Sequence, residues 1–300
     1  MTNTILVVGA TGMQGGAVAR HLLKRSLFKV RCMKRCMDSK PARLLEQQGA
    51  EVVQANLDDP ASLRRAVYGC CGIFGVTDFW EAGSREYDQG VNLISAAAEA
   101  GVGHLVLSTL PSSKSMSDGA LELPHFETKA RMEEYAQLRN MPFTFVHVAF
   151  YYENFLSYFP PRRQPDGSCS FGFPLGDACL GGVAADDIGG VVAEIFARQL
   201  EFVHQTVEII GDEMPAQEYA KIMSSVLMRK IAYNHIPRET YAALPFPGGQ
   251  ALADMFEFLR VYTPSRRIHI TRCQQLFADM QGFESWLGKN ADKFTGIFEG

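Results

Sequence analysis

Long hydrophobic runs are missing from this 300-residue chain. No stretch approaches the roughly 18 apolar residues that a membrane helix needs, so no membrane segment is expected. An excess of charge is missing too: 29 Lys and Arg stand against 33 Asp and Glu, a formal net charge of −4. Binding to a phosphate backbone calls for a basic face, so direct contact with nucleic acid is not expected. Paired cysteines are absent. Cys32, Cys36, Cys70, Cys71, Cys169, Cys179 and Cys273 are odd in number, form no C-x-x-C and flank no histidine at ligand spacing. They read as free thiols of a reducing compartment with no metal site, and neighbouring cysteines such as Cys70-Cys71 seldom close a relaxed disulfide. Met1-Thr2-Asn3-Thr4 lacks the basic start of a signal peptide, and the apolar run behind it enters glycines rather than a cleavage site. The expected location is cytoplasmic, with the nucleus as an alternative.

What is there is ordinary globular material, 47% hydrophobic and 21% charged, without repeats or low-complexity tracts. Its first half alternates short apolar runs with helical patterns. Strands are expected at 5–8, 29–34, 51–55, 73–77, 104–108 and 143–148. Helices are expected at 17–24, 41–48, 60–68, 86–100 and 126–139, several of them stopped by a glycine. Strand–helix–strand at this spacing implies parallel strands with right-handed crossovers, and strands apolar on both faces imply a sheet covered on both sides. The expected fold class is therefore α/β, a doubly wound parallel sheet. After Ala149 the pattern loosens into aromatics, prolines and glycines. It resumes with a helix at 185–199, a strand at 205–210 and a helix at 215–228. Residues 1–150 with about 181–212 are assigned to the sheet domain. About 151–180 with 213–300 are assigned to a smaller, mainly C-terminal domain.

The first strand runs into V-V-G-A-T-G-M-Q-G-G, where Gly9, Gly12 and Gly15 form G-x-x-G-x-x-G between strand and helix. Such a turn uses conformations cheap only for glycine. It lets backbone N–H groups approach a pyrophosphate, with the field of a helix N-terminus behind them. Gly9, Thr11, Gly12, Met13, Gln14 and Gly15 are the candidate cradle. About 20 residues on, NAD sites usually carry an acid against the ribose 2′-hydroxyl. Here the strand ends Met33-Lys34-Arg35-Cys36-Met37, with no acid before Asp38. An arginine fork suits a 2′-phosphate, so the expected cofactor is NADP rather than NAD. Asn56 and Leu57, after the third strand, are candidates for the adenine edge, and Asp58 for the start of the next helix. Thr77, closing the fourth strand, is a candidate for the cofactor channel. Phe150, Tyr151 and Tyr152, after the sixth, are candidates for a nicotinamide wall, with an aromatic core as the competing reading.

These residues resemble the short-chain dehydrogenase/reductase superfamily, whose members pair a proton-donating Tyr with a Lys four residues later. Here Ser108 ends the fifth strand and Lys129 lies on the following helix, but the Tyr position is His125, in P-H-F-E-T-K, and none of the ten tyrosines has Lys at +4. More narrowly, the chain resembles the NmrA-like family. The match rests on G-A-T-G-x-Q-G-G, V-R-x-x-x-R, Q-G-A-E-V-V-Q, H-F-x-x-K with E-E-Y at 133–135, Y-x-E-N-F, D-D-I-G at 186–189 and F-P-G at 246–248. Asn56 departs by standing where Asp is expected, and Lys34 and Cys36 depart beside Arg35.

That resemblance implies a Rossmann domain with a small C-terminal domain and a cleft between them, NADP binding, and redox sensing with regulation of other proteins by contact. It places Gly9, Thr11, Gly12, Gln14 and Gly15 at the pyrophosphate, Arg35 at the 2′-phosphate and Lys129 at the nicotinamide ribose. The leading expectation is an NADP(H)-binding regulatory sensor without efficient dehydrogenase activity. The alternative is an NADPH-dependent reductase of small carbonyls or quinones, with Lys129 and His125 as the catalytic candidates.

Overall fold

A computed structural model describes residues 3–36 and 39–299; Met1, Thr2, Met37 and Asp38, which the sequence expectations touch, lie outside them. Two compact units emerge, residues 1–112, 124–148 and 185–209 in the first, and 113–123, 149–184 and 210–300 in the second. Segment 113–123, inside the expected 1–150 domain, thus groups with the second unit.

The first unit is a Rossmann-type α/β fold. Its strands are β1 (Thr4–Val7), β2 (Lys29–Lys34), β3 (Glu51–Gln54), β4 (Gly72–Gly75), β5 (His104–Thr109), β6 (Phe143–Val148) and β7 (Gln205–Ile209). All pair in parallel, in the order β3-β2-β1-β4-β5-β6-β7. The chain runs outward from β1 through β2 to β3, then returns to β4 on the other side. The segment after β1 therefore leaves the sheet at the reversal point, where such sheets open a crevice at their carboxyl ends.

The helices are α1 (Met13–Arg25), α2 (Lys40–Gln47), α3 (Pro60–Val67), α4 (Phe79–Ala82), α5 (Glu86–Glu99), α6 (Pro124–Leu138) and α7 (Ala185–Ala197). Helices α3, α5 and α6 pack side by side over one apolar cluster, while α1 packs on α7. β4, Gly72-Ile73-Phe74-Gly75, shows how tightly both faces are covered. A Cβ on Gly72 would come 2.8 Å from Ile5 and 2.9 Å from Phe196; one on Gly75 would come 2.7 Å from Leu107 and 2.8 Å from Leu93. The D-D-I-G segment opens α7. Asp186 accepts hydrogen bonds from His21 (3.1 Å) and Arg20 (2.6 Å) on α1, and these hold its carboxyl well below the ordinary range. Gly189 lies against the α1 backbone, where a Cβ would stand 2.4 Å from Ala17.

Helix starts correct the expectation in two places. α1 begins at Met13 rather than Ala17, since Gly15 and Gly16 are held helical by close packing despite their poor propensity. α3 is capped by Asp59, whose carboxylate accepts from the Ala61 N–H at 3.0 Å, and not by Asp58.

The second unit carries two three-stranded sheets, one of Phe150–Tyr151, Cys179–Val183 and Asp212–Pro215, the other of Arg162–Arg163, Cys169–Phe173 and Ile231–His235. Ala216–Val226, Gly249–Val261, Arg267–Leu276 and Phe283–Asn290 are its main helices. Its core is aromatic, with Tyr152, Phe155, Phe173, Tyr219, Phe256, Phe283 and Phe294 fully buried. No helix among the described residues is long and apolar enough to cross a membrane.

Candidate functional site

The turn after β1 is built from backbone. Gly9 has a φ of +64°, a left-handed conformation that glycine adopts without strain, and Gly12 donates to its carbonyl at 2.8 Å. A Cβ on Gly15 would sit 2.3 Å from the Gly9 oxygen, so α1 can approach the turn only with glycine there. Gly12 is the N-cap of α1 and supplies no side-chain cap, which leaves the first-turn N–H groups of the helix without an intrahelical acceptor. Gly9, Thr11, Gly12 and Met13 are exposed, and Gln14 and Gly15 are buried behind them. Gly9, Thr11 and Gly12 thus form an open turn that leads into Met13, Gln14 and Gly15 in the first turn of α1.

Cations gather at the end of β2. Lys34 Nζ donates to Thr11 Oγ1 at 2.8 Å, joining the strand end to the glycine turn. Arg35 is exposed, and its guanidinium meets the Glu81 carboxylate of α4 two-pronged, Nη1 to Oε1 and Nη2 to Oε2 at 3.2 Å. After β3, Asn56 Oδ1 accepts from the Asp58 N–H at 3.1 Å, and the Leu57 carbonyl accepts from Asn92 at 2.9 Å. Asp58 accepts from Gln89 (3.0 and 3.1 Å) and Arg85 (2.6 Å), which keep it below the usual carboxylate range. Leu57 is half-buried against the core.

Thr77 and Lys129 meet. Lys129 Nζ donates to the Thr77 hydroxyl at 3.0 Å, to the Thr77 carbonyl at 3.2 Å and to Glu86 Oε1 at 2.5 Å. Glu86 has no exposed surface, and Thr77 and Thr128 also donate to it, at 2.8 and 2.5 Å. This carboxylate escaped the sequence reading. Its signal was faint: one acid in the first turn of the expected 86–100 helix, among several acids of similar standing.

His125, the residue at the Tyr position, is buried among the rings of Phe79 (5.7 Å between centroids), Trp80 (5.4 Å) and Phe126 (5.0 Å). Neither ring nitrogen has a hydrogen-bond partner among the described residues. Burial, reinforced by the Lys129 charge, pushes its pKa down to about 4, so the imidazole is neutral at pH 7. A second polar group missed in the sequence lies at the ends of β5, β6 and β7. His147 contacts Glu133 (2.7 Å) and Glu208 (3.0 Å), and Thr109 donates to Glu133 at 2.5 Å. Burial opposes the charge on His147, but the two carboxylates overcome it and raise its pKa to about 9. Ser108 is buried within β5.

Phe150, Tyr151 and Tyr152 belong to the second unit. Phe150 packs on Phe155, Phe159 and Phe173. Tyr152 is fully buried beside Phe283 and Trp286, which makes it a core residue with no face for a ligand. Phe150 and Tyr151 are half-buried. No disulfide joins cysteines among the described residues; burial pushes the Cys32 thiol up to about 12 and the Cys70 thiol up to about 11. No cluster of metal-ligating side chains occurs among the described residues.

Comparison with known proteins fits this construction. The model of the NmrA-like family matches residues 1–287. An NmrA-like family domain-containing protein of Dictyostelium discoideum is 29% identical over 252 residues, 80% of this chain and 83% of that one. The NmrA-like family domain-containing oxidoreductase FrzB of Cladobotryum is 31% identical over 258 residues, 79% of this chain and 77% of that one. Among solved structures, the negative transcriptional regulator NmrA in complex with NADP superposes with a TM-score of 0.83 at 21% identity, covering 96% of this chain and 95% of that chain. The same regulator in complex with NAD gives 0.83 at 20% identity, with the same coverage. Matched along nearly its whole length, and folded around the same glycine turn that first suggested the likeness, the chain belongs to the NmrA-like family.

Proposed function

We propose that this protein binds NADP(H) at the turn after β1 and serves as a redox-responsive regulatory protein that acts through contact with another protein. One observation carries the reading. The glycine turn and the cations beside it are those suited to a phosphate, while the position where relatives of the superfamily carry the proton-donating tyrosine holds a buried, neutral histidine. The fit of a dinucleotide rests on the chain itself. The turn is exposed, a Cβ at Gly15 would collide with it, the helix behind it starts without a side-chain cap, and Lys34 and Arg35 stand at the neighbouring strand end. NmrA, a regulator crystallised with NADP and with NAD, supports the same class of ligand.

When bound, the reduced cofactor could donate a hydride and the oxidised one could accept it. Gly9, Thr11, Gly12, Met13, Gln14 and Gly15 would hold its pyrophosphate, Arg35 its 2′-phosphate, Asn56 and Leu57 its adenine edge. Lys129, steered by Glu86 and Thr77, would hold the nicotinamide ribose. A neutral His125 does not offer the proton of an imidazolium at pH 7, and Lys129 is already hydrogen-bonded to a carboxylate. Oxidised and reduced nicotinamide differ by one positive charge, so a pocket that prefers one form shifts a conformational equilibrium by that difference in affinity.

Titration calorimetry with NADP+, NADPH, NAD+ and NADH tests the reading. NADP(H) is expected to bind more tightly than NAD(H), and Arg35→Glu to weaken NADP(H) far more than NAD(H). NADP+ and NADPH are expected to differ in affinity; equal values remove the sensor. The alternative, a reductase of carbonyls or quinones, draws support from oxidoreductase relatives such as FrzB. Steady NADPH consumption on such substrates that disappears in Lys129→Ala would establish it.

A further inference from the structure

We propose that Glu81 is a built-in competitor for the anion that Arg35 receives, and thereby sets how strongly the chain prefers a 2′-phosphorylated dinucleotide over an unphosphorylated one. This rests on the dinucleotide reading above and deepens it. Arg35 and Glu81 come from different elements, 46 residues apart, and join through both nitrogens of the guanidinium fork and both carboxylate oxygens. That is the geometry in which a guanidinium binds phosphate. The faces a phosphate would use are taken by a carboxylate, and two anions on one fork repel each other.

Three acids surround Arg35: Glu81, Asp58 and Asp78. Asp58 is tied down by Arg85 and Gln89, and Asp78 caps α4 by accepting from the Trp80 N–H (2.9 Å) and the Glu81 N–H (3.3 Å). The Glu81 carboxylate, among the described residues, has Arg35 as its sole partner, so it alone can leave without breaking another contact. The pair is open to water, with side chains 66% and 54% exposed. An exposed pair shifts an equilibrium by about fivefold at most. That is weak enough for a phosphate dianion to displace, and strong enough to appear in its affinity. A ribose 2′-hydroxyl carries no charge and leaves the pair intact, so Glu81 penalises the phosphorylated ligand alone. Trp80 adjoins Glu81 on α4, is largely exposed, and lies tilted against the His125 ring. Its emission therefore reports when Glu81 lets go.

The test is calorimetric titration of the whole chain with NADP+ and NAD+, in wild type, Glu81→Gln, Arg35→Gln and the double variant. Glu81→Gln is expected to tighten NADP+ about three- to fivefold and to leave NAD+ within about twofold. The gain should vanish in the Arg35→Gln background and shrink at high salt. NADP+ should change Trp80 emission where NAD+ does not, a difference lost in Trp80→Phe. Unchanged or weaker NADP+ binding in Glu81→Gln, with Arg35→Gln still discriminating between the two ligands, overturns the proposal and leaves the dinucleotide reading standing. Binding of neither dinucleotide by any of the four proteins overturns both.

Discussion

Lys129 Nζ and Glu86 Oε1 lie 2.5 Å apart, the carboxylate with no exposed surface and the lysine side chain 13% exposed. A lysine on α6 is thereby fixed to the first turn of α5, with Thr77, two residues past the end of β4, bonded to both. Charge burial of this kind is tolerable because each group satisfies the other.

Removing one partner should reveal that dependence. Lys129→Met strands a buried carboxylate and is expected to cost about 3–5 kcal/mol in urea unfolding at neutral pH. Glu86→Gln combined with Lys129→Met should recover most of the loss. A double variant as unstable as the sum of the two singles would show that the pair is not coupled.

Two neighbouring glycines should behave differently. Gly15→Ala drives a Cβ to 2.3 Å from the Gly9 oxygen, whereas Gly16→Ala brings one only to 3.4 Å from Ala10 and Arg20. The first should destabilise by more than about 2 kcal/mol and abolish dinucleotide binding. The second should stay within about 1 kcal/mol of wild type. Thermal unfolding and ligand titration on the two proteins check the contrast.

His125→Phe should stabilise the protein. It replaces two buried nitrogens that lack partners with carbon, inside a nest of rings, and relief of such groups contributes about 1 kcal/mol. A lower melting temperature in His125→Phe would mean that the imidazole has a polar duty in the folded protein.

The His147 cluster gives a signed pH dependence. Its folded pKa, about 9, exceeds the ordinary value of 6.5. The stabilisation is therefore fully present below pH 6.5 and is lost as pH rises through 9. Denaturant midpoints should fall across that window, and His147→Gln should flatten the fall. An equal slope in both proteins would place the alkaline loss elsewhere.

Most of the sheet was legible because buried parallel strands are short apolar runs with glycine or proline punctuation. The glycine turn was legible because backbone geometry itself selects the residue. Less visible were features made by tertiary proximity. Nothing local distinguishes Glu86 from Asp88 or Glu99 on the same helix, yet only its place beside Lys129 makes it central. Glu81 falls in a four-residue helix too short to leave a periodic signal. Asp58 and Asp59 are chemically alike, and backbone direction alone decides which one caps α3. Tyr152 looked like a candidate wall because it follows a strand end, whereas its ring turns into a core assembled from residues more than a hundred positions later.

Gly189 brings a separate consequence, for biosynthesis. The glycine turn is made within the first fifteen residues, but the helix that aims its amides seats against a partner near position 189, at backbone distance. A ribosome must therefore make the chain at least through α7 before the glycine turn can lock. Until then the nascent amino-terminal segment holds its cradle only loosely, and a chain truncated before α7 should emerge with its opening helix unmoored.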